Sequence, residues 1–159
     1  MKYCETAITF SEIPDEVTLC INISNCPCHC QGCHSAYLAE DIGEELTFEV
    51  LDSLIKKNEG ITCVAFMGGD AEPATVNDLA SYVKESYPNI KTAWYSGRQE
   101  ISDIVARQLR WFDYIKLGPY KEEFGPLNSR TTNQRMYKVH DCELEDITSK
   151  FWKNDKKDN

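Results

Sequence analysis

The chain has 159 residues, 42% hydrophobic and 27% charged, with 8 Gly and 6 Pro. That is enough for one ordinary core, and it excludes a collagenous, disordered or repeat chain. Seventeen Lys and Arg stand against 26 Asp and Glu, a net charge of −9, the wrong sign for gripping a phosphate backbone, so nucleic acid is not an expected partner. No apolar run approaches the ~20 residues that cross a bilayer, and the first residues do not read as a leader; the expected location is cytoplasmic, with no membrane partner. One domain over residues 1–150 and a polar tail over 151–159 are expected.

In chain order, residues 17–23 alternate Val17, Leu19, Ile21 and Ile23 with Thr18, Cys20 and Asn22, the period of two that marks a strand. A cysteine-rich loop follows. Thr47 reads as the cap of a helix with Val50, Leu51, Leu54 and Ile55 on one face, stopped at Gly60. Residues 61–67 form a short apolar run ending at Gly68-Gly69, a buried strand reaching a tight loop. The spacing of Thr75 and Asp78 predicts a capping box for a helix carrying Val76, Leu79, Ala80 and Val83, and Pro88-Asn89 ends it. Residues 90–95 read as a third strand closed by Ser96-Gly97. Ile101, Ile104, Val105, Gln108, Leu109 and Phe112 trace one amphipathic helix, and residues 114–117 a fourth strand. A long loop over 118–135 precedes a last strand at 136–139, and loops of that length are often functional. Strands alternating with helices imply right-handed crossovers and a parallel sheet, with ligand sites at the carboxyl ends of its strands.

Eight cysteines are many for this length, and without a leader they are expected to stay reduced, so metal or redox chemistry outranks disulfides. Four of them, Cys26, Cys28, Cys30 and Cys33, fall within eight residues. Thiolates bunched so tightly in a loop cannot all be core hydrophobes; they point to a common metal centre. Soft thiolates select zinc or an iron-sulfur cluster. A zinc tetrahedron usually takes a second pair of ligands from a separate turn, and the remaining cysteines, Cys4, Cys20, Cys63 and Cys142, are isolated. Cys20 and Cys63, in strand patterns, read as small buried residues. Cys28 keeps a four-thiolate or zinc site open as an alternative, and His29 and His34 are further potential ligands.

The spacing Cys26-x-x-x-Cys30-x-x-Cys33 is the signature of the radical S-adenosylmethionine enzymes, which this chain resembles. The resemblance implies that Cys26, Cys30 and Cys33 hold a [4Fe-4S] cluster. S-adenosylmethionine then occupies the fourth iron and is cleaved reductively to methionine and a 5'-deoxyadenosyl radical. Gly68-Gly69-Asp70 resembles the superfamily's Gly-Gly-Glu or Gly-Gly-Asp segment that meets the amino group of S-adenosylmethionine. The implied cofactor contacts are Gly32, His34, Gly68, Gly69, Asp70 and Ser96. In Asp70-Ala71-Glu72-Pro73 the proline is displaced from its usual place directly after the acidic residue, which makes Glu72 the alternative to Asp70.

Within the superfamily the chain is most similar to the activating proteins of anaerobic ribonucleoside-triphosphate reductase. Cys30-Gln31-Gly32-Cys33-His34 resembles their Cys-Pro-Gly-Cys-Tyr, Tyr95-Ser96-Gly97 their Thr-Gly-Tyr turn, and residues 130–135, Arg-Thr-Thr-Asn-Gln-Arg, their Arg-Gly-Ser-Ser-Asn-Gln-Arg close. Pro14-Asp15-Glu16 departs from their Gly-Pro-Gly-x-Arg segment, and Thr131 stands where they have Gly. The resemblance implies a partial (β/α) barrel of mostly parallel strands, open on one side, whose substrate is a glycine of the reductase's catalytic subunit, with a low-potential electron donor such as flavodoxin. Arg130 and Arg135 are then partner-contact positions. A small-molecule radical enzyme akin to the deazapurine-forming synthases, and a non-enzymatic zinc or cluster module, are the alternatives.

Overall fold

The computed structural model describes residues 1–33 and 35–152. The strand patterns read from the sequence are realised in four adjacent strands, β2 (Thr18–Ile23), β4 (Cys63–Met67), β5 (Lys91–Tyr95) and β6 (Tyr114–Leu117), which pair in parallel. Their side chains are almost all buried on both faces, which is why they read as near-continuous apolar runs. Four further strands flank them: β1 (Lys2–Thr9), β3 (Glu44–Glu45), β7 (Arg135–His140) and β8 (Glu143–Asp146). The order is β3-β1-β2-β4-β5-β6-β7-β8. The flanking pairs are antiparallel, so among the described residues the sheet is mixed and open rather than mostly parallel. β3 and β8 are exposed throughout and no residue of β1 is fully buried, and strands without a buried face leave no apolar signal.

One face carries all the helices. Leu19, Ile21, Ile23, Val64, Phe66, Trp94, Ile115 and Leu117 pack there against Leu51 and Ile55 of α1 (Phe48–Lys57) and against Val76, Leu79, Ala80 and Val83 of α2 (Pro73–Ser86). The other face is closed by chain rather than helix. Ile13, Met136 and Ile147 cover Cys20, Cys63, Ala65, Ala93 and Tyr114, with Leu127 and Phe151 packed on them. Phe151 ends a short 3-10 turn, Thr148–Phe151, while residues 153–159 of the expected tail lie outside the described residues. Among the described residues no helix is long and apolar enough to cross a membrane.

The helix ends correct two expectations. Thr47 caps α1 as read, its Oγ1 accepting from Val50 N at 3.1 Å. Thr75 does not cap α2, because the helix has already started at Pro73, and Thr75 N bonds to Glu72 O at 3.0 Å. Proline at the first helical position is preorganised in φ and has no N–H to leave unpaired. The single amphipathic helix expected over 101–112 is two short pieces, α3 (Asp103–Ala106) and a 3-10 turn, Leu109–Trp111. The break falls at Gln108, φ −132°, whose Oε1 accepts from Asn77 Nδ2 on α2 at 2.9 Å and from Trp111 Nε1 at 3.0 Å. Val105, Leu109 and Phe112 still reach the core, which is all that the apolar spacing recorded.

β7 and β8 turn through Asp141-Cys142, both left-handed, with φ 48° and 63°, between the paired residues His140 and Glu143. A two-residue hairpin of this kind favours glycine at its second position. Cys142→Gly is expected to stabilise the protein by about 0.5–1 kcal/mol, read as a rise in Tm of roughly 2–3 °C in a thermal melt.

Candidate functional site

The parallel strands β2, β4 and β5 deliver three loops to one edge of the sheet: residues 24–33, 68–72 and 96–102. Direct hydrogen bonds join them. Asp70, 8% exposed, accepts from Ser96 Oγ at 2.5 Å, Gly97 N at 2.8 Å and Cys28 Sγ at 3.5 Å. One carboxylate therefore ties the cysteine loop and both turns together, using three of its roughly four lone-pair positions. The backbone is shaped for this contact. Gly68 and Gly69 have φ of 113° and 96°, a Cβ on Gly69 would stand 2.5 Å from Val76 Cγ2, and Gly68 O accepts from Trp94 Nε1 at 2.8 Å. At Gly97 a Cβ would stand 2.8 Å from Cys28 Sγ, so glycine lets the thiol reach Asp70.

The four clustered cysteines divide into three and one. Cys26, Cys30 and Cys33 border a common cavity of about 190 Å³ together with His29, Ser35, Ala36 and Ala39. Cys28 is absent from its lining and turns to Asp70 instead. Burial, Asp70 and Cys26 push the Cys28 thiol up to about 12, and its Sγ donates to Asp70 at 3.5 Å. Among the described residues no three metal-ligand side chains converge on a single point. In a cluster each thiolate takes a different iron, so three thiols bordering one cavity are a suitable donor set. The donor set thus fits a three-thiolate cluster. Cys20 and Cys63 are buried at 4% and 0% exposure, and burial raises both thiols, as their strand positions imply.

The other expected contacts are placed as follows. Ser96 is 1% exposed and committed to Asp70. Gly32 is exposed in the cysteine loop and faces Tyr120 and Glu122. His34 lies outside the described residues. Glu72 is the N-cap of α2, 46% exposed at its side chain, and pairs with the Met1 ammonium at 3.4 Å. Asp70 is thus the carboxylate built into the loop junction, and Glu72 the exposed one. The loop over 118–134 borders a second cavity, about 460 Å³, between residues 119–123 and Cys28, Cys30 and Gln31. Arg135 pairs with Asp146 at 3.8 Å and Arg130 stacks over Trp152 at 5.7 Å.

Lys116 went unread in the sequence. It is 8% exposed on β6, and its Nζ donates to Ser96 O at 3.3 Å and Gly118 O at 2.7 Å. Burial lowers its ammonium to about 8, opposed by Cys30, Asp70, Cys28 and Cys33. The available signal was a lone lysine inside the apolar run Tyr114-Ile115-Lys116-Leu117, at the carboxyl end of a central strand.

Three thiols around one cavity, at the carboxyl edge of parallel strands, are a donor set that an iron-sulfur cluster fits. The family model of the 4Fe-4S single cluster domain matches residues 16–140, and the chain belongs to that family. Neither the comparison with curated proteins nor that with solved structures gives a match.

Proposed function

We propose that the protein is a cytoplasmic radical S-adenosylmethionine activase that generates a glycyl radical on anaerobic ribonucleoside-triphosphate reductase, with reduced flavodoxin or a similar low-potential donor supplying the electron. The observation that carries this reading is the division of the cysteine loop: Cys26, Cys30 and Cys33 border one cavity, and Cys28 is tied back to Asp70. When bound, the cluster supplies the one-electron reduction that cleaves S-adenosylmethionine. The chain's own residues hold and enclose. Three thiolates leave one iron for the cofactor, while Gly68, Gly69 and Ser96 form the wall beside it and Asp70 carries the charge for its ammonium. The open sheet serves as a partial barrel, and the 460 Å³ cavity under residues 119–123 is the entrance for the glycine-bearing loop.

The test is electron paramagnetic resonance of the reduced, reconstituted protein mixed with the anaerobic reductase of the same organism. A glycyl doublet that requires S-adenosylmethionine is expected. Its absence, from a preparation that cleaves S-adenosylmethionine, would reject the reductase as partner and favour a small-molecule substrate.

A further inference from the structure

We infer that Lys116 is the buried counter-charge of the cysteine loop, a positioning residue whose ammonium sits at the Ser96–Asp70 junction beside that loop and raises the reduction potential of the cluster the loop carries. The inference rests on the chain's place in the 4Fe-4S family and not on the activase reading. Alternation along β6 sends Ile115 and Leu117 to the helix-covered face; Lys116 shares the opposite face with Tyr114. A lysine normally keeps its ammonium in water, and burying it unpaired is costly. Here the two carbonyls of Ser96 and Gly118 fix the ammonium between the turns that follow β5 and β6. Neither carbonyl carries a charge to balance it.

On either side of the Ser96 carbonyl, Ser96 Oγ and Gly97 N both donate to Asp70, and a Cβ on Gly97 would stand 2.8 Å from Cys28 Sγ, so the ammonium lies against the junction that holds the cysteine loop. Asp70 accepts three hydrogen bonds there from uncharged donors, and a cluster held by the cysteine loop would add further negative charge beside the ammonium. A four-iron core on three thiolates has a net negative charge. One electron from an external reductant such as dithionite makes it more negative, with no bond made or broken in the protein. A fixed buried cation favours the more negative state, so its removal makes reduction harder.

The experiment compares wild-type protein with Lys116→Met and Lys116→Arg after anaerobic reconstitution. Iron and sulfide content are assayed first, and dithionite titration is then followed by electron paramagnetic resonance. Lys116→Met is expected to keep its iron, and at the wild-type midpoint its ratio of reduced to oxidised cluster should fall about tenfold, which for one electron is about 59 mV. Lys116→Arg should stay within about threefold of wild type. A Lys116→Met protein with full iron and an unchanged ratio overturns the inference. If Lys116→Met loses its iron, Lys116→Gln, whose amide can still donate to the two carbonyls, is titrated in its place: a tenfold fall in the ratio supports the inference and an unchanged ratio overturns it. Loss in both variants makes lysine a matter of shape and overturns it. A wild-type protein that takes up no iron rejects the cluster itself, a result distinct from all of these.

Discussion

Alanine at Cys26, Cys30 or Cys33 is expected to abolish S-adenosylmethionine cleavage, and alanine at Cys28 is expected to preserve it. The first three border the common cavity, and three thiolates are the minimum that holds a cluster while leaving one iron open; loss of any one removes a covalent ligand that no neighbour replaces. Cys28 is the nearest spare thiol, but its hydrogen bond to Asp70 holds it elsewhere. Reconstituted wild-type protein should carry about four irons per chain, and Cys28→Ala should match it. The cost of Cys28→Ala is one half-buried hydrogen bond, about 1 kcal/mol of stability. Iron analysis alongside detection of 5'-deoxyadenosine checks both statements. If Cys28→Ala empties the site while Cys26→Ala leaves it filled, the ligand set is wrong and a four-thiolate or zinc arrangement takes its place.

The second large effect is expected at Asp70. Asp70→Ala leaves the buried Ser96 hydroxyl, Gly97 N–H and Cys28 thiol without their common acceptor. Unpaired buried donors of this kind cost about 3 kcal/mol together, a fall in Tm of roughly 10 °C. The iron should remain, since no thiolate ligand changes, while affinity for S-adenosylmethionine should drop by at least about tenfold, the loss of one charged hydrogen bond. Asp70→Asn separates the two roles. With its amide oxygen toward Gly97 N and Cys28 and its NH2 donating to the Ser96 hydroxyl, asparagine can pair both sides of the junction, so stability should largely return, whereas the missing charge should leave cofactor binding weak. Calorimetry and equilibrium dialysis read the two quantities independently. Should Asp70→Asn restore full affinity, Asp70 only frames the site; a loss confined to Glu72→Ala would move the ammonium contact to Glu72.

The cysteine loop was legible in the sequence because its chemistry is local. Cys26, Cys30 and Cys33 lie within eight residues of one loop, and no long-range packing is needed to bring them together. The parallel strands were legible for a related reason: burial on both faces makes each a continuous apolar run bounded by turn residues, and the loops after β2, β4 and β5 follow directly. Elements without such burial were not. β1 and β8 expose much of their surface and earn their place by pairing with neighbours, so their existence is a property of the sheet. The break at Gln108 has the same origin, since its side chain answers to Asn77 on another helix. The role of Cys28 and that of Lys116 were decided by the tertiary structure alone. Cys28 is 42 residues from Asp70, and by spacing it is one more thiol in a cysteine loop; only the approach of β4 and β5 turns it to the Asp70 carboxylate. Lys116 reads as an interruption of a strand until β6 is placed beside β5. Its ammonium then lies at the Ser96–Asp70 junction beside the cysteine loop, because burial leaves it no path to water and the carbonyls of Ser96 and Gly118 hold it there.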